Sequence, residues 1–239
     1  MRLLDAFEAV FSGQVYKHRS STVGDALSLT IFEDLYSLGR SRAYVEGVDA
    51  LDLVVNTENK VTGRRTRRGD GTFGERLVSV DPVRVKGFSV ARAKTADVRI
   101  GVEVKILATA MIKQIDRVIG DLRKQARQFE AVTPGAISVG IVGVNHAATY
   151  RSYEGPDRFY DKPGRTGVAP ATEAADATAR LLDGTHGAAG AYDEFVVLDF
   201  SAENKGAFPF EWTRRDVTAD AYAAALQRVS RAYDQRFGQ

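Results

Sequence analysis

Apolar residues recur along this chain first at helical and then at strand spacing. Leu3, Leu4, Phe7, Val10 and Phe11 follow a helical period, and a second helix is predicted over residues 21–38. That helix carries Leu27, Ile31, Leu35 and Leu38 on one face, with Ser21 or Thr22 as its cap and Gly39 at its end. Leu51, Leu53 and Val55 then alternate with Asp52 and Val54, the period-two pattern of a strand. The stretch 63–77, GRRTRRGDGTFGERL, has the glycine and arginine content of an exposed loop, and strands are expected after it over 83–91 and 98–107. Met111, Ile115, Val118, Ile119, Leu122 and Phe129 mark a long amphipathic helix over 108–129. After Pro134 and Gly135, the nearly all-apolar AISVGIVGVN reads as a strand covered on both faces. A short helix at 172–182, a buried strand at 194–200 and a terminal helix at 219–237 complete an α/β layered pattern. No repeat or linker divides it, so residues 1–239 read as one domain, with a core at about 21–145 that residues 146–239 complete.

Composition narrows the chemistry. The 239 residues include no cysteine, which removes disulfides, thiolate metal sites and cysteine nucleophiles and agrees with a reducing compartment. The three histidines, His18, His146 and His186, have no metal-motif spacing, so a metal here would be a hard cation on carboxylates. Asp5 and Glu8 interrupt the N-terminal apolar stretch, which therefore does not read as a signal peptide. The longest apolar run, Gly135 to Val144, is half of what a membrane span requires. A cytoplasmic protein that does not engage a membrane is expected. With a net charge of +2, the basic residues matter by where they cluster.

The most informative segment is Thr95 to Phe129. Val98, Ile100, Val102, Val104 and Ile106 occupy one face of its strand, while Glu103 and Lys105 share the other beside Arg99. Charged groups in so apolar a strand are costly unless they pair or bind something. A Glu-x-Lys pair on a core strand, followed at once by an amphipathic helix, resembles the PD-(D/E)XK nucleases. The resemblance covers mainly Ile31 to Phe129, a little over two fifths of the chain. It implies a restriction endonuclease-like core: a central mixed β-sheet flanked by helices on both faces. It further implies a magnesium ion, replaceable by manganese, held by Glu103 and an aspartate, and a Lys105 that orients or deprotonates the attacking water. Lys105 would do the latter best with a depressed pKa. The alternative for Glu103 and Lys105 is a structural ion pair.

Two aspartates compete as the metal partner. Asp97 stands six residues before Glu103, roughly 20 Å along a continuous strand, and works only if Arg99-Ile100-Gly101 makes a tight turn. Asp52, on the preceding strand, is favoured. By the same resemblance, Glu33 on the helix before that strand is a supporting metal ligand and Gln114 a polar residue near the site. Either could equally be an ordinary surface or boundary side chain. Arg64, Arg65, Arg67 and Arg68 form a basic run suited to DNA phosphates, or to a solvated loop tip. Lys113, Arg117, Arg123, Lys124 and Arg127 offer a second positive surface, partly compensated by Asp116 and Asp121. His146 stands at a strand end where α/β sites are commonly built, but a structural role suits it as well.

The implied activity is a magnesium-dependent DNA endonuclease acting as a homodimer, in restriction or another defence role, with specificity in the arginine loop or after Tyr150. The alternatives are a repair or junction-resolving nuclease and a non-catalytic DNA-binding subunit.

Overall fold

The computed structural model describes residues 1–17, 22–58, 69–155, 158–162 and 170–238. The predicted helices form as α1 (Arg2–Phe11) and α2 (Thr22–Leu38), and a third, α3 (Arg42–Asp49), follows directly. Ser41 caps α3 by accepting the Tyr44 N–H at 3.1 Å. The turn after this helix takes up Leu51 and Asp52, at the front of the expected first strand. Leu51 turns the chain with a φ of 62°, and β1 begins only at Leu53, running Leu53–Asn56.

Among the described residues, seven strands build one mixed sheet. Its members after β1 are β2 (Gly71–Glu75), β3 (Arg92–Ala93), β4 (Ile100–Leu107), β5 (Ile137–Asn145), β8 (Glu194–Ala202) and β9 (Phe210–Trp212), in the order β3-β1-β2-β4-β5-β8-β9. β1, β2 and β4 form an antiparallel meander; β4, β5 and β8 run parallel, and α4 (Met111–Val132) makes the β4-to-β5 crossover. A separate hairpin pairs β6 (Tyr150–Gly155) with β7 (Arg158–Lys162).

The alternation along β4 decides which helices cover which face. Ile100, Val102 and Val104 join a core with α1, α2, α3 and α6 (Arg215–Phe237). The opposite face lies under α4 and α5 (Pro170–Leu182), where Val142 and Val144 of β5 pack against Met111, Ile115 and Leu122. Helices therefore flank a mixed sheet on both faces. No helix among the described residues is long and apolar enough to cross a membrane.

The segment 83–91 differs from the expected strand. Apart from an isolated bridge between Val83 and Arg92, it loops across α1 and α2, whose side chains take two of its backbone groups. The Val90 N–H donates to Glu33 Oε1 at 2.6 Å, and Arg2 donates to the Gly87 carbonyl at 2.7 Å. Backbone groups satisfied by side chains leave little drive to form a ladder.

At the N-terminal ends of β5 and β8, Asp193 accepts the Ser138 N–H at 2.8 Å and the Ser138 hydroxyl at 3.0 Å, and it pairs with Arg236. Burial alone would raise this carboxyl's pKa, but Arg236 and Ser138 outweigh burial and hold it below the ordinary value. A depressed carboxyl stabilises the fold above its unfolded pKa, near 3.9, and loses that contribution as pH falls through the folded value. Asp193→Asn is expected to cost about 1 kcal/mol at pH 7 and progressively less below about pH 4, read by urea unfolding at both pH values. A difference independent of pH would show that the charge is not what stabilises.

Candidate active site

β4 carries Glu103 and Lys105 on the α4 side of the sheet. Glu103 is buried with its side chain 9% exposed, Lys105 is about one third exposed, and the two are in direct contact. Gly101 is an ordinary strand residue and not the pivot of a turn. A Cβ there would meet the Phe129 ring at 2.4 Å, so the glycine admits α4 close to the strand.

The acid opposite this pair is Asp70. β2 and β4 pair Phe73 with Ile100 and Gly71 with Val102, and Asp70 is the residue just before the first of these β2 positions. Its N–H donates to the Val102 carbonyl at 3.1 Å, and its Oδ2 accepts the Val104 N–H at 2.7 Å. The side chain thus bonds to the backbone between Glu103 and Lys105, continuing the ladder where β2 stops. Gly69, at φ 69°, makes the approach possible: a Cβ there would lie 2.7 Å from Phe129 and 3.2 Å from Glu103 Oε2. From the other side α2 closes in, since a Cβ on Gly24 would lie 2.4 Å from Asp70 Oδ1.

Both carboxylates act on Lys105. Burial lowers the pKa of its ammonium, but Glu103 first, then Asp70 and Asp121, outweigh burial and raise it above the ordinary lysine value. This reverses the depressed pKa expected of a lysine that deprotonates water. Tyr192, whose hydroxyl donates to the Leu122 carbonyl at 2.9 Å, has its phenol pKa raised by burial and by the same two acids.

The donors at this end of the β2–β4 pair are carboxylate oxygens, the set a hard cation takes. Among the described residues no group of three or more His, Asp or Glu forms a ready cage. Magnesium does not need one, because it keeps several waters and uses one or two carboxylates with substrate oxygens. The residues present fit such an ion.

The two aspartates expected to partner Glu103 lie at the opposite end of the sheet. Asp52 is exposed in the turn before β1, and its carbonyl accepts the Arg76 N–H at 2.7 Å. Arg76 stands six positions along the strand from Asp70, roughly 20 Å. Asp97 accepts the Glu75 N–H at 2.6 Å and lies 3.4 Å from Arg99 Nε, in a cluster that also holds Tyr233. Because Arg99 leads straight into β4 and no hairpin folds Asp97 back, it stays about as far from Glu103. Neither can share a cation with Glu103.

Glu33 also faces elsewhere. It is 1% exposed, binds Val90 through Oε1, and has Oε2 3.4 Å from Arg2, close enough for an ion pair but not aligned as a hydrogen bond. It sits roughly 13 Å along α2 from Gly24, the residue that meets Asp70. The α2 acid on the Asp70 side is Asp25, which lines a cavity together with Asp70. Gln114 is exposed on α4 and accepts from Arg117 at 2.8 Å; the buried glutamine of this helix is Gln125. Arg64, Arg65, Arg67 and Arg68 lie outside the described residues, as does His18. On the outer face of α4, Arg123 donates to the Thr185 and His186 carbonyls, and Asp116 pairs with Arg180. His146 Nε2 lies 2.8 Å from Asp199 Oδ1 at the far end of β5 and β8, a pair apart from Glu103.

Comparison with protein-family models, curated proteins and solved structures returns no match.

Proposed function

We propose that this chain is a magnesium-dependent endonuclease of the PD-(D/E)XK type, hydrolysing DNA phosphodiesters with Asp70, Glu103 and Lys105. The observation that carries the reading is the approach of Asp70 to the Glu103–Lys105 backbone across an antiparallel strand pair, followed by α4 and the parallel β5. That helix, meander, crossover helix and parallel strand order is what a restriction endonuclease-like core would require.

Asp70 and Glu103 are the residues that would hold the cation, which when bound supplies neutralisation of charge on the phosphate and a lower pKa for the attacking water. Asp70 is fixed for this by the Val104 N–H, and Glu103 by its burial under α4. Lys105, held as an ammonium by its acidic neighbours, orients the water and balances their charge. Cutting both strands of a duplex calls for two copies, so a homodimer belongs to this reading. The arginine run that ends two residues before Asp70 is its proposed phosphate contact. A defence or restriction role is the setting proposed, with repair or junction resolution second.

Incubation of the purified chain with plasmid, branched and single-stranded DNA in magnesium or manganese, beside an EDTA control, tests the proposal. Metal-dependent cleavage is expected, with discrete fragments for a restriction role. Binding without cleavage under every condition would leave a non-catalytic DNA-binding subunit, and uniform degradation would remove the restriction role.

A further inference from the structure

On the α2 side of the sheet, a cavity of about 370 Å³ opens between the first half of α2 and the edge formed by β1 and β3. Leu29 and Val55 form its apolar wall, Asp25 and Asn56 line it, and Asp70 stands in it together with Arg92. The cavity thus adjoins one acid of the proposed catalytic site, and its size falls in the range of small-molecule sites.

Arg92 is the unexplained group. It is half-buried on β3, opposite Val55, and its backbone is fully engaged: its N–H donates to the Val83 carbonyl at 2.9 Å and its carbonyl accepts the Val83 N–H at 2.8 Å. Its guanidinium makes no ion pair or hydrogen bond among the described residues. The neighbouring basic residues do otherwise, with Lys94 paired to Glu58 at 2.6 Å and Arg99 bound to Asp97 and Tyr233. A partly desolvated guanidinium is a strong, directional binder of anions, above all of phosphate oxygens in a bidentate fork.

We propose that this cavity is a nucleotide subsite in which Arg92 holds a phosphate of the substrate strand flanking the scissile one. The sugar and base of that nucleotide would lie against Leu29 and Val55. A phosphate fits better than a second cation, because the Arg92 guanidinium, which has no hydrogen bond or ion pair among the described residues, is positive. The assignment rests on the nuclease reading and adds to it a residue that binds the strand without touching the reacting atoms. Arg92 is therefore a positioning residue.

The test uses the full chain and a DNA oligonucleotide that it cleaves. Arg92→Ala is expected to raise KM about tenfold or more with little change in kcat, the loss of one charge-assisted contact, and Arg92→Lys is expected to recover part of it. The slope of log affinity against log salt, measured with calcium in place of magnesium, should fall by about one. Single neutral methylphosphonate substitutions along the strand should weaken wild-type binding at one position flanking the cut, a sensitivity that Arg92→Ala lacks. Unchanged KM, salt slope and methylphosphonate profile in Arg92→Ala would overturn the subsite while leaving the nuclease reading intact. A nucleoside monophosphate that competes in wild type but not in Arg92→Ala, with no sensitive strand position, would also overturn it in favour of a free nucleotide. If wild type neither cleaves nor binds any nucleic acid, the nuclease reading falls and the subsite with it. Because the side chain has no partner in the described fold, Arg92→Ala is expected to keep the wild-type melting temperature, which is checked alongside.

Discussion

Asp70→Asn and Glu103→Gln are each expected to lower metal-dependent cleavage by about a thousandfold or more, because each removes a carboxylate worth several kcal/mol of charge stabilisation in the transition state. Lys105→Ala should cost about a hundredfold or more, within the range of a lost proton-transfer or positioning group. Asp52→Asn and Asp97→Asn, at the far end of the strands, are expected to leave the rate essentially unchanged. Folding of every variant is checked by circular dichroism and melting, since Asp70 also terminates the β2–β4 ladder through Val104. Cleavage lost in Asp97→Asn but kept in Asp70→Asn would contradict the assignment of the aspartate.

The second large effect concerns the fold that carries the site. Asp34 is 7% exposed in α2, yet accepts three hydrogen bonds: from the Arg2 N–H at 2.8 Å, the Leu3 N–H at 3.0 Å and the Tyr222 hydroxyl at 2.9 Å. The first turn of α1 has no side-chain cap of its own at Met1, so this carboxylate from another helix satisfies its exposed N–H groups and complements its dipole. One side chain thereby fastens α1 and α6 to α2. Asp34→Ala strands three donors, two of them buried, and is expected to destabilise the protein by about 3 kcal/mol or more in urea unfolding. Tyr222→Phe, which removes one donor and leaves the carboxylate two, should cost about 1 kcal/mol. A loss below 1 kcal/mol for Asp34→Ala would mean that α1 is held by its apolar face alone. That face is substantial, since Leu3, Leu4, Phe7 and Phe11 are all buried.

Glu103 and Lys105 were legible in the sequence because a local rule, the period-two alternation of Ile100 to Ile106, sets them against an apolar face. Asp70 was not, because its place depends on a hydrogen bond between residues 34 positions apart and on a strand that does not look like one. In GTFGE only Phe73 is a large apolar residue. Gly71 lies where a Cβ would strike Ser28, and Gly74 where it would strike Asp97. Tertiary crowding selected glycines that read locally as loop. The same holds for the segment 83–91, where valines suggest a strand but Glu33 takes the Val90 N–H and Arg2 the Gly87 carbonyl. Glu33 was misplaced for a related reason: order along the chain put an acid on the right helix, while only the packing of α2 on β2 shows which turn faces Asp70. Helix periodicity fared better, since α4 and α6 each bury a regular stripe against the sheet.

Manganese binding followed by electron paramagnetic resonance shows whether Asp70 and Glu103 together hold a divalent cation. Wild type should take up manganese in competition with magnesium, with binding weakened about tenfold or more in both Asp70→Asn and Glu103→Gln and unchanged in Asp52→Asn. Equal manganese binding by wild type, Asp70→Asn and Glu103→Gln would contradict it.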